Sequence, residues 1–169
     1  MKKTLLSFVA FFAVALFATA QVNLIENGDF EKWTDGKPDN WTTASTAGNA
    51  MLSQSKDAHS GENAVNVASA SSNKRIGYKE ITLKAGDYTV KFWAKGGKAR
   101  PGYTPVDESN KVTGSYVYPD ENVTLSATEW TEVSCSFTLA ATTRLSLVVM
   151  NPKNSGELFI DDYSPVSYT

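Results

Sequence analysis

Tyr88-Thr89-Val90-Lys91-Phe92-Trp93-Ala94-Lys95 is the stretch that decides the fold. Successive side chains of a strand point to opposite faces, so Tyr88, Val90, Phe92 and Ala94 share one face and Thr89, Lys91, Trp93 and Lys95 the other. The same alternation recurs downstream. Trp130 to Leu139 places Val133, Cys135, Phe137 and Leu139 on one face, and Arg144 to Met150 does so with Leu145, Leu147 and Val149. Leu158 to Tyr163 reads as the last strand. Upstream, Met51–Gln54, Ala64–Val67 and Ile76–Leu83 are further strands, separated by the turn-rich segments Lys56–Glu62, Ser69–Lys74 and Lys84–Asp87. Gly96 to Asn110 reads as a long loop with at most one short strand, followed by a short strand at Ser115–Tyr118. Many short strands at intervals of about 8–12 residues, with no amphipathic helix, predict an all-β fold. Its form is an antiparallel two-sheet β-sandwich of the jelly-roll kind.

The first 20 residues stand apart from this pattern. Lys2 and Lys3 precede an apolar run from Leu5 to Ala18 broken only by Ser7, and Ala18-Thr19-Ala20 fits a small-residue cleavage site. The run is short for a membrane span of about 20 residues. Residues 1–20 therefore read as a cleaved signal peptide and residues 21–169 as one domain, secreted or periplasmic. No later stretch is apolar enough to insert into a membrane. The net charge is −2, and loss of Lys2 and Lys3 makes the mature chain more acidic, which argues against nucleic acid as a partner. Cys135 is the only cysteine, so no internal disulfide forms. Its place on an apolar face predicts a buried structural thiol.

Asn23-Leu24-Ile25-Glu26-Asn27-Gly28-Asp29-Phe30-Glu31-Lys32-Trp33 opens the mature domain. Leu24 and Ile25 are expected to start a strand, and Asn27-Gly28 supplies residues that tolerate a left-handed backbone at a sharp turn. Glu31 lies between aromatic residues of buried type, and a buried carboxylate needs a partner: a lysine, an arginine or a metal ion. Trp33, Trp41 and Trp130 are expected in the core. His59, the only histidine, falls in a turn. With one turn histidine, no Gly-rich phosphate loop and no Cys/His cluster, the chain is not expected to be an enzyme. Asn40-Trp41-Thr42 and Asn122-Val123-Thr124 fit glycosylation sequons.

The segments N-L-I-E-N-G-D-F-E (23–31), Y-T-V-K-F-W-A-K (88–95) and G-E-L-F-I-D-D (156–162), with Trp130-Thr131-Glu132-Val133, are similar in order and spacing to carbohydrate-binding modules. The resemblance is to the galactose-binding-like jelly-roll superfamily, especially modules attached to bacterial xylanases and glucanases, and it spans the mature chain. It implies non-catalytic glycan binding and a structural calcium ion tying the first loop to the last strand. The implied ligands are carboxylates of Glu31, Asp57 and Asp161, with carbonyl oxygens from Asp29 and Ser60, a hard all-oxygen set suited to calcium. A salt bridge or solvent exposure is the plain alternative for Glu31 and Asp161. A sugar site needs flat aromatic faces and polar side chains. Trp93 is the first choice, with Tyr103, Tyr116 and Tyr118 from the loop region and Arg100, Asp107 and Glu108 for hydrogen bonds. The protein is expected to act as a monomer. An adhesion or protein-interaction module of the same fold, with a cell-surface protein as partner and no sugar ligand, is the second expectation.

Overall fold

The computed structural model describes residues 24–41, Thr46 and 51–168; the signal-peptide reading and the polar stretch around Thr42–Ser45 lie outside them. The described residues form twelve strands: β1 (Trp33–Thr34), β2 (Lys37–Pro38), β3 (Leu52–Ser55), β4 (Ala64–Val67), β5 (Lys74–Gly77), β6 (Ile81–Leu83), β7 (Gly86–Gly96), β8 (Lys98–Pro105), β9 (Val123–Thr124), β10 (Thr131–Leu139), β11 (Thr143–Asn151) and β12 (Leu158–Tyr168). One sheet has the order β10-β7-β12-β4-β3. The second has β5-β11-β8-β9, with β6 also on β11, and every pairing is antiparallel. No helix among the described residues is long and apolar enough to cross a membrane.

The alternation read in β7 holds. Tyr88, Val90, Phe92 and Ala94 are buried between the sheets, where they meet Val133, Cys135, Phe137 and Leu139 of β10 and Leu145, Leu147 and Val149 of β11. Trp41 is fully buried, with its ring 4.9 Å from Phe30, 5.1 Å from Tyr78 and 5.1 Å from Tyr163. Burial holds the Cys135 thiol up at about 12, so it stays protonated inside the core. Trp33 packs on the core edge, whereas Trp130 lies half-buried on the outer face of the first sheet.

Within the loop expected over 96–110, residues 98–105 form β8, a full strand paired with β11 from Arg100 to Pro105, and residues 107–110 form a turn. Its prolines misled the reading. Tyr103 exchanges backbone hydrogen bonds with Val117, and the Pro105 carbonyl accepts from Thr113, so alternate residues Pro101, Tyr103 and Pro105 direct their backbone groups away from β11. The missing proline N–H groups thus fall on the side that is only patchily paired, where they cost little. Ser115–Tyr118 is not a strand and pairs only through the Tyr103–Val117 bridge. Ile76–Leu83 divides into β5 and β6, both on β11. Leu24 and Ile25 lie in irregular backbone rather than a strand. In the loop that follows, Asn27 takes φ 54° as expected, but Gly28 serves close approach: a Cβ there would lie 2.0 Å from the Tyr163 carbonyl oxygen.

Candidate functional site

Two places on this scaffold gather polar chemistry. The first joins the ends of the domain. Between Asp161 and Ser164 the register of β12 on β7 shifts, and Asp162 has φ 49°. This bulge breaks the alternation, so Tyr163 turns into the core while both preceding carboxylates meet the turn at 59–60. Asp161 is fully buried. Its Oδ2 accepts N–H bonds from His59 (2.8 Å) and Ser60 (3.1 Å), and Oδ1 accepts one from Asp162 (2.8 Å). Burial outweighs these bonds and raises its carboxyl to about 6. Asp162 accepts from the Ser60 hydroxyl and lies 2.7 Å from His59 Nδ1.

Glu31 grips the other end of the same turn. Its Oε1 accepts the N–H groups of Glu62 (2.7 Å) and Asn63 (2.9 Å), and Oε2 accepts Asn63 Nδ2 (2.8 Å). Burial alone would raise this carboxyl, but the bonds from Asn63 and Glu62 hold it below the usual 4.5. Gly61 makes the approach feasible: φ is +62°, and a Cβ would stand 2.3 Å from Glu31 Oε1. Head and tail of the domain therefore converge on one turn, with backbone N–H groups as the immediate partners of both carboxylates.

Of the residues expected around calcium, Asp161 accepts from the Ser60 N–H at one end of this turn and Glu31 holds its other end. Asp57 does not join them, because it pairs with the ammonium of Lys95. Lys95 is buried and stands over the rings of Trp130 and Phe159, at 4.9 and 5.8 Å, so Asp57 is its counter-charge. Asp29 lines a small hollow with Gly28, Asp162 and Ser164. Among the described residues no group of three or more His, Cys, Asp or Glu side chains could hold a metal. Of the three expected carboxylates, Glu31 and Asp161 alone stay at this turn as hard oxygen donors. A carboxylate has about four acceptor positions, and Glu31 and Asp161 each use three of theirs on N–H groups.

The second place lies on the outer face of the other sheet. The guanidinium of Arg75 stands 4.1 Å from the Tyr116 ring centroid and that of Arg100 5.1 Å from Tyr118. The two tyrosine rings stack at 6.3 Å with planes 12° apart. The result is an Arg75–Tyr116–Tyr118–Arg100 ladder. Gly102 of β8 makes room for it, since a Cβ there would lie 2.7 Å from the Tyr118 ring and 2.2 Å from the Val117 carbonyl oxygen. Beside the ladder is an open hollow of ≈ 550 Å³, lined by Asn73, Lys98, Arg100, Asn122, Met150 and the turn at 152–155.

The aromatic residues expected in one groove are divided among three places. Tyr116, Tyr118 and Arg100 share the ladder. Tyr103 packs inward on Phe137 at 4.8 Å. Trp93 belongs to the opposite sheet, where the His59 ring stacks on it at 3.9 Å and 10°, and Trp130 meets His59 edge-on. Asp107 uses its carboxylate within its own turn, accepting from Ser109 and Lys111, and Glu108 is exposed in that turn. Arg75, Lys98 and Asn63 escaped sequence reading. Nothing in their local sequence marks them, because each matters only through the strand opposite it.

A two-sheet antiparallel sandwich with a head-to-tail carboxylate clasp and a surface ring ladder defines a β-sandwich recognition domain. The sequence matches the carbohydrate-binding domain family CBM_4_9 over residues 22–156, and the chain belongs to that family. No curated protein matches it. Among solved structures it is similar to TmCBM61 in complex with β-1,4-galactotriose, with 22% identity and TM-score 0.58 over 87% of this chain and 99% of that one. It is also similar to the CBM22-1 xylan-binding domain of Xyn10C from Paenibacillus barcinonensis (11%, TM-score 0.61, 82% and 90%). A putative sugar binding protein from Bacteroides thetaiotaomicron VPI-5482 is a third (16%, TM-score 0.59, 87% and 100%). At these identities the likeness is one of fold.

Proposed function

We propose that this protein is an exported, non-catalytic glycan-binding module whose ligand lies along the Arg75–Tyr116–Tyr118–Arg100 ladder and the adjoining hollow. The observation that carries the reading is the ladder itself. Two parallel, half-buried rings capped by two guanidiniums form a row of planar groups whose exposed edges can meet a sugar, and the amides of Asn73 and Asn122 beside them suit hydroxyl groups. Trp93 has one face covered by His59 and is assigned to holding the 59–63 turn. Removal of residues 1–20 by a signal peptidase would leave Gln21 as the mature N-terminus, which N-terminal sequencing of exported protein checks.

The test is a glycan array followed by titration calorimetry. Tyr118→Ala is expected to lower affinity at least tenfold, in line with about 1–3 kcal/mol for a ring contact. Trp93→Ala is expected to lower stability and leave affinity unchanged. Absence of binding to any plant, host or bacterial glycan would favour the protein-interaction reading, and release of products from a bound glycan would mean an enzyme.

A structural calcium ion is part of the proposal. Glu31 and Asp161 would supply its charge, each with the acceptor position left over from the N–H bonds, and carbonyl oxygens of Asp29 and Ser60 would complete an oxygen set. Bound there, calcium would offset the repulsion between Asp161 and Asp162 and link the ends of the domain.

A further inference from the structure

The hollow beside the tyrosine ladder has an uneven charge. Met150 of β11 pairs with Arg75 of β5 on one side and with Arg100 of β8 on the other. Residues directly opposite each other in a sheet share a face, so two guanidiniums flank Met150 on the outer side. Strand spacing puts their Cα atoms about 10 Å apart. Lys98, two residues before Arg100, emerges on the same face. Lys153 closes one end from the turn after β11, held there by the bond from its N–H to Asn73 Oδ1. Three cationic side chains, Lys98, Arg100 and Lys153, thus line one concavity, with Arg75 on the strand beyond Met150, and the lining contains no Asp or Glu.

Counter-charge is sparse. Arg100 gives its Nε–H to the Asp120 carbonyl at 2.8 Å, and Glu121 reaches it only at 3.8 Å with its side chain 93% exposed. Among the described residues Lys98 and Lys153 form no ion pair. This concentration occurs on a chain whose net charge is −2, so the remaining surface is acidic. A neutral sugar would gain hydrogen bonds but no charge pairing from these cations. A ring carboxylate would: guanidinium forks match a planar carboxylate in two parallel bonds, and the exposed lysines add attraction over a Debye length.

We propose that the ladder face selects acidic glycans, chains bearing uronic acid carboxylates, in preference to neutral ones of the same backbone. The proposal rests on the glycan-binding reading of this face and specifies its ligand class. The edge of the tyrosine ladder borders the sugar, and the Lys98, Arg100 and Lys153 side chains read its charge.

The test compares polygalacturonate with the same polymer after reduction of its carboxyl groups to primary alcohols, by calorimetry at 0.05 and 0.3 M NaCl. Lys98→Gln/Lys153→Gln is the variant, because both side chains are exposed and their loss leaves the fold intact. The acidic polymer is expected to bind at least tenfold more tightly than the reduced one at low salt. The double variant is expected to lose about fivefold for the acidic polymer alone. Equal affinity for the two polymers, or an unchanged double variant, overturns the charge preference while leaving glycan binding standing. Failure of both polymers and of every neutral glycan on the array overturns both readings. Equally tight binding to dextran sulfate, insensitive to Tyr118→Ala, means simple polyanion attraction and also overturns the proposal.

Discussion

Glu31→Gln tests how the ends of the domain are joined. In chelator, the carboxylate accepts two backbone N–H bonds on Oε1 and the Asn63 amide on Oε2. Glutamine keeps one carbonyl oxygen for Glu62 and Asn63, but as a neutral acceptor. Its amide then faces the amide of Asn63, donor against donor. Asn63 is not free to turn over, because its Oδ1 already accepts Gln54 Nε2 and Lys56 Nζ, each at 2.8 Å. Hydrogen bonds to a charged group contribute about 1.5–3 kcal/mol and neutral ones about 0.5–1.5. Two weakened bonds and one lost bond therefore amount to about 3 kcal/mol, or about 6–12 °C in Tm for a domain of this size. Urea unfolding at pH 7 with EDTA measures it. The gap also has a pH signature. Glu31 is held below its ordinary 4.5, so its contribution is present above that value and fades as pH falls through the folded-state pKa. Wild type and variant should converge once the pH lies below the lowered folded-state pKa of Glu31. A loss under about 1 kcal/mol, or a gap that does not change with pH, would refute the three-bond account.

Asp161 has the opposite sign. Its folded carboxyl is raised to about 6 from 3.8, so in chelator its protonation stabilises the fold below 3.8, and that stability is lost as pH rises towards 6. The drop is about 3 kcal/mol at 1.36 per pH unit, and Asp161→Asn should remove it; a wild-type curve no different from the variant's between pH 4 and 6 counts against the burial argument. Gly61→Ala should cost about 2–4 kcal/mol, because strain at positive φ adds to displacement of Glu31. Gly36→Ala, at φ +72° with open space around it, should cost only about 1–2. Equal costs at the two glycines would show that the Glu31 contact is unimportant. Calcium should raise the Tm of wild type and of Asp57→Asn alike, and leave Glu31→Gln and Asp161→Asn unmoved. A calcium response that disappears in Asp57→Asn would return that carboxylate to the ion.

Strand alternation is a local property. A period of two places Val90, Phe92 and Ala94 on one face whatever lies opposite them, so the sandwich and its core were legible in the linear chain. The carboxylate of Glu31 was also legible as a group that requires a partner, and Asp161 was implied by the family resemblance. Their actual partners were not, because N–H groups of residues 59–63 look like any others until a turn carries them across the chain. Prolines concealed β8, since whether a missing N–H matters depends on which edge it faces. The tyrosines of the ladder were visible as exposed aromatics, but their stacking partner Arg75 lies on another strand. What the sequence by itself determined was the set of faces, because side-chain direction follows from the backbone repeat. What only tertiary structure decided was which faces meet: pairing β5 and β8 on either side of β11 sets Arg75 and Arg100 on either side of Met150, and no local interaction specifies that neighbourhood.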